Sequence, residues 1–102
     1  MKKIVPDPPL SKSCTTTNTA FGNCDAGHPP LFCVSSAITA QDALVHASLY
    51  LRCAYDTGIK GLDGIDPSSQ GLLWSTLHSV EMAKGLVDAL LDGVEQQAGS
   101  LV

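Results

Sequence analysis

The sequence predicts an all-α fold: a helical hairpin preceded by a short strand or extended segment. Three observations predict it. Two stretches carry apolar residues at three- and four-residue spacing, the signature of one buried helix face. Each stretch opens on a residue suited to capping a helix. Finally, the apolar fraction is 44% but the aromatic fraction only 5%, so a core must come from Leu, Val and Ala, which suits packed helices. With 102 residues the chain fits one domain.

Residues 1–30 are rich in Pro, Ser, Thr, Asn and Gly and hold few large apolar groups. Such a stretch buries too little surface to offset its ordering entropy, and it is predicted as a disordered tail. The run Leu31-Phe32-Cys33-Val34-Ser35 follows Pro29-Pro30. Its content and proline boundary predict a strand, which then needs another chain to pair with or a helix to lie against; an extended lead-in to the first helix is the alternative. The helical hairpin domain spans residues 31–97, and residues 98–102 are predicted as a flexible C-terminus.

The first helix starts at Thr39, a suitable N-cap, with Asp42 at the third helical position. Ala43, Leu44, Ala47, Leu51, Ala54 and Tyr55 mark one face. The small residues Ala40, Ala43, Ala47 and Ala54 allow a partner helix to come close. Gly58, Gly61 and Gly64 weaken the far end, and the helix is expected to end between Gly58 and Leu62, with a loop over 61–66. The second helix starts at Asp66-Pro67, an N-cap followed by a proline in the first turn. Its face reads Leu73, Leu77, Val80, Ala83, Val87, Leu90, Leu91 and Val94, nearly a heptad repeat. Trp74 and Met82 flank it, with Glu81 and Lys84 at its edges. Leu44, Val45, Leu49 and Tyr50 occupy more than one side of the first helix. A two-helix hairpin leaves much of that surface wet, so a homodimer forming a four-helix bundle is expected.

Charge narrows the partners. Residues 31–102 hold three cations against eight acids, a balance of −5. That part would repel a phosphate backbone, and nucleic acid is not expected as a partner. No run approaches a bilayer span, and the basic start at Lys2-Lys3 breaks at Pro6 without an apolar region behind it. The chain is therefore expected to be cytoplasmic, with its four cysteines reduced.

Cys14, Cys24, His28 and Cys33 are the residue types of a tetrahedral zinc site. Their spacing, C-x9-C-x3-H-x4-C, lacks the paired C-x2-C that nucleates such sites, so scattered thiols in a tail are the preferred reading and no metal is expected. Cys53 beside Arg52 could be an activated thiolate; a small apolar side chain in the core is the commoner fate of a free cysteine. His46 and His78 fall on the two helices and would meet only if the hairpin joined them. A site at a dimer interface would draw on His46, Cys53, Tyr55, His78 and Glu81. There is no G-x-S-x-G, no phosphate-cradling loop and no dinucleotide fingerprint. No catalytic or cofactor-binding residue is assigned, and an enzyme is not expected. The function class that remains is a self-associating interaction or regulatory module, with a protein partner possible. A strand-helix-helix DNA reader and a ligand or enzyme site at a dimer interface are the alternatives.

Leu31-Phe32-Cys33-Val34, Asp42-Ala43-Leu44, Leu51-Arg52-Cys53-Ala54, Leu73-Trp74, His78 and Glu81-Met82-Ala83-Lys84-Gly85-Leu86-Val87 together give a further signal. Over about residues 31–92 the chain resembles a family of small uncharacterised pseudomonad proteins, a domain of unknown function. The resemblance implies a domain boundary and brings no activity, ligand or catalytic residue.

Overall fold

Both expected helix starts are capped as their chemistry dictates. The computed structural model describes residues 14–22 and 26–99. The Asp42 N–H donates to Thr39 Oγ1 at 3.2 Å, and the Ser69 N–H donates to Asp66 Oδ1 at 3.2 Å. These bonds satisfy amides that have no partner within the helix. The first helix, α1, is Ala40–Gly61. A 3-10 turn, Leu62–Gly64, follows it, and the second helix, α2, is Pro67–Gly99. None of the described helices is long and apolar enough to cross a membrane.

Before the helices lies a two-stranded antiparallel sheet of β1, Thr19–Phe21, and β2, Phe32–Val34. The short strand thus finds its partner inside the same chain, in a segment whose composition predicts no structure. The sheet is the departure from an all-α architecture in a chain that is otherwise mostly helical. Phe21 stands opposite Phe32, with ring centroids 5.9 Å apart, a cross-strand aromatic pair that adds to the ladder. The tail reading of residues 1–13 and 23–25, and the C-terminal reading of residues 100–102, lie outside the described residues. Ala98 and Gly99 belong to α2.

The chain divides into two compact units, Met1–Ala43 with Val94–Val102, and Leu44–Gly93. In the first, Thr16 holds the approach to α1. Its N–H donates to the Ile38 carbonyl at 2.8 Å and its carbonyl accepts from Ala37 at 2.9 Å. Its hydroxyl donates to the Ser35 carbonyl at 2.6 Å and accepts from the Ile38 N–H at 3.1 Å. This grip turns the chain tightly enough to set Ala37 at a φ of 68°, a left-handed conformation unusual for a residue with a Cβ. The Cys14 carbonyl then accepts the Ala40 N–H at 3.0 Å, occupying another amide at the start of α1.

The second unit contains the hairpin seam. Leu62 and Leu77 are its buried hydrophobic residues. Half-buried positions on α1 recur as Leu44, Ala47, Ser48, Leu51, Tyr55 and Gly58, and on α2 as Leu73, Val80, Lys84, Val87 and Leu91. Most of the expected faces is therefore present. Ala54 and Leu90 are exposed instead, Leu90 to 50%. Gly58 lies within α1 and has a packing role. A Cβ built on it would run into Leu77 Cδ2, with Leu77 Cγ at 3.3 Å and Cδ1 at 3.6 Å. Leu77 is only 2% exposed, so its side chain has little room to swing aside. Glycine is thus the residue that lets α1 and α2 close up at this point.

Candidate functional site

The register of the hairpin decides which sequence candidates meet. Ser48 donates its hydroxyl to Asp88 Oδ1 at 2.6 Å, and Gly58 packs on Leu77. Moving forward along α1 therefore means moving backward along α2. His46 lies at the Asp88 end, and His78 lies opposite the region of Gly58. They are separated by roughly 15 Å or more along the helix axis. The histidines do not come together. His46 stacks on Tyr50 at 6.3 Å between ring centroids, one turn along its own helix. His78 tilts against Trp74 at 6.5 Å, and its Nδ1 lies 4.0 Å from Glu81 Oε1.

The cysteine cluster is not assembled by the described residues. Cys14, Cys33 and Cys53 are all exposed, and Cys24 lies outside the described residues. Cys33 sits in β2 opposite Ala20. His28 Nδ1 donates to the Pro29 carbonyl at 2.8 Å. Among the described residues, no three of His, Cys, Asp and Glu form a group that could hold a metal ion. Cys53 departs from the buried reading: it faces outward on α1. Its neighbour Arg52 points its Nε toward Asp56 Oδ2 at 3.9 Å.

One cleft lies beside the seam, with a volume of about 260 Å³, lined by Arg52, Tyr55, Asp56, Glu81 and Lys84. Two of the five interface candidates, Tyr55 and Glu81, line it, and His78 adjoins it through Glu81. Sequence reasoning did not assign Arg52, Asp56 and Lys84 to a site. The i,i+4 spacing of Arg52 and Asp56 was the available signal, but such pairs usually mark a solvated helix face. The cleft is shallow and its charges are mixed. The Arg52–Asp56 pair, with side chains 71% and 62% exposed, contributes little in water.

A firmer polar feature lies one turn further along α2. Lys84 Nζ donates to Asp88 Oδ2 at 2.6 Å, while Ser48 holds the other carboxylate oxygen. The Lys84 and Ser48 hydrogen bonds hold the Asp88 carboxyl below its ordinary value, against a smaller opposing effect of desolvation. The arrangement fixes the register of α1 on α2.

The large apolar side chains are mostly elsewhere. On α2, Leu72 is 73% exposed, Met82 60% and Leu86 75%, besides Leu90. On α1, Val45, Leu49 and Tyr50 are exposed. All these belong to the second unit. The charged residues of α2 within that unit, Glu81, Lys84, Asp88 and Asp92, occupy the side of the helix away from Leu72, Met82, Leu86 and Leu90, as their spacing at 100° per residue requires. The hairpin therefore has one charged flank and one apolar, uncharged flank on α2.

A family model described as a protein of unknown function, DUF3077, matches residues 15–95. The match begins well before Leu31, so it takes in both strands as well as the hairpin. No curated protein matches the chain, and no solved structure matches it.

Proposed function

This chain belongs to the DUF3077 family, and from that premise we propose that it is a non-enzymatic, cytoplasmic interaction module that works as a homodimer. One observation carries the reading. Among the described residues the buried hydrophobic core is Leu62, Leu77 and Val94, while large apolar side chains from Phe21 to Leu90 stand exposed. Single exposed apolar residues are ordinary, but several large ones on one uncharged flank of a helix point to an interaction surface.

The magnitudes favour pairing. At their exposures of 73%, 60%, 75% and 50%, covering Leu72, Met82, Leu86 and Leu90 contributes on the order of 4–8 kcal/mol per protomer. A two-fold interface counts that contribution twice, against an association cost of roughly 4–15 kcal/mol. The covered surface is thus large enough to offset that cost over much of its range. A protein partner would then dock on the assembled pair. A DNA reader is disfavoured because the strands Thr19–Phe21 and Phe32–Val34 carry no cation, and groove recognition needs donors from basic or polar side chains.

Sedimentation velocity and native mass spectrometry in reducing buffer test the proposal. A concentration-dependent dimer is expected. A species that stays monomeric up to about 100 μM, where even a weak complex of −5.5 kcal/mol is half formed, would overturn it.

A further inference from the structure

The apolar flank of α2 is patterned as well as exposed. Its large members are Leu72, Met82, Leu86 and Leu90. Small residues share the same flank at three- and four-residue spacing. Ser75, Ser79 and Gly93 are exposed, and Ala83 is half-buried. Large and small positions mirror each other about the point between Met82 and Ala83. Reflection through that point carries Met82 onto Ala83 and Leu86 onto Ser79. It also carries Leu90 onto Ser75 and Leu72 onto Gly93. Leu72, Leu86 and Leu90 therefore each fall level with a small residue when the helix is laid antiparallel on a copy of itself, while Met82 lies beside its own copy at the centre. An isologous contact has this property: position i meets j while j meets i. Large-into-small interdigitation is what helix packing needs.

Two further observations fit a closed contact. A Cβ on Gly93 would meet nothing within 4 Å in the single chain, as at Gly71 and Gly85 elsewhere on α2, so this point of the flank is open for a neighbouring helix to approach. In addition, the Ser79 hydroxyl donates to the Ser75 carbonyl at 3.2 Å, so Leu86 can cover that hydroxyl without stranding it.

We infer that a second copy of this chain docks on the flank in one register, antiparallel, with the two-fold axis passing between Met82 and Ala83. The inference rests on the self-association reading and specifies its face, direction and register. It leaves the charged flank, with Arg52, Glu81 and Lys84, open on both sides of the dimer.

The full-length chain tests this with all four cysteines changed to serine and single cysteines reintroduced. Under mild oxidation Met82→Cys is expected to form a disulfide-linked dimer, because its copies face each other at the axis. Leu72→Cys is expected to stay unlinked, its copies lying roughly 30 Å apart along the helix. Leu72→Cys combined with Gly93→Cys is expected to link. In the native-cysteine protein, Ser79→Leu sets leucine against Leu86 and is expected to weaken the dimer about tenfold or more. The exchange Ser79→Leu with Leu86→Ser is expected to restore it to within about threefold. Efficient linking through Leu72→Cys alone, or a dimer unchanged or tightened by Ser79→Leu, would overturn the register while leaving self-association standing. A wild-type chain that is monomeric throughout would overturn both.

Discussion

Gly58 and Leu77 allow a prediction that reverses sign with its background. Replacing Gly58 by alanine in the intact protein drives a methyl group into Leu77, which touches the built position with all three of its outer carbons and is 2% exposed. Overpacking of this kind costs roughly 1–3 kcal/mol, and the closeness places the cost in the upper half of that range. Alanine recovers about 1 kcal/mol of helix propensity over glycine, so Gly58→Ala is expected to lose about 1–2 kcal/mol net. Leu77→Ala alone opens a cavity and is expected to lose about 2–5 kcal/mol. In the Leu77→Ala background the obstructing carbons are absent. There Gly58→Ala keeps its helical gain and fills part of the void, and is expected to stabilise by about 1 kcal/mol. The coupling between the two sites is then about 2–3 kcal/mol, within the range for residues in contact. Urea denaturation of the four proteins, followed by far-ultraviolet circular dichroism at one protomer concentration, measures the cycle. If Gly58→Ala were as harmful in the Leu77→Ala background as in the parent, close packing would not be the reason for the glycine.

Other expectations follow from the same geometry. Asp88 has its folded-state pKa depressed, chiefly by the hydrogen bond from Lys84 and then by that from Ser48. Its stabilising contribution is therefore complete above the ordinary carboxylate value of 3.8 and is lost as pH falls through the lower folded value; thermal melts should show a shallower acid limb in Asp88→Asn than in the parent. Thr16→Val removes the hydroxyl that joins Ser35 to Ile38 and is expected to cost about 1–3 kcal/mol locally, read as faster amide exchange at Ile38 with exchange around Leu77 unchanged. Ala37, at a φ of 68°, is expected to tolerate glycine with a gain of up to about 1 kcal/mol, while Ala37→Val loses more than about 1 kcal/mol; equilibrium melts of the two variants decide it.

Helix starts are the most legible part of the fold. Thr39 with Asp42, and Asp66 with Pro67, carry their meaning in local chemistry, and both caps form. The end of α1 at Gly61 also falls inside the expected window. The inner face of α2 is legible only in part. Leu90 satisfies a three- and four-residue spacing with Val87 and Val94, yet it also spaces correctly with Leu86. A helix with two apolar stripes does not announce which one its own hairpin covers. Strand β1 is invisible for another reason. Thr-Ala-Phe is too short to show alternation, and its stability comes from pairing with residues such as Phe32 far along the chain. Gly58 reads as a helix breaker because propensity is local, whereas its cause, the side chain of Leu77, is supplied by the other helix. The cleft is only half legible. Tyr55 and Glu81 stand among the sequence candidates, while Arg52, Asp56 and Lys84 look like any solvated helix face.

Trp74 is the chain's single tryptophan. It lies against His78 on α2, on the side of the helix turned away from Leu72 and Leu86. An indole there is an optical probe supplied by the molecule itself. At 44% exposure and with His78 of the same helix as its ring neighbour, its emission is expected to respond to loss of that helix and little to what covers the opposite flank. Light-based and mass-based measurements on unlabelled protein would therefore report two different processes, folding in the first case and assembly in the second.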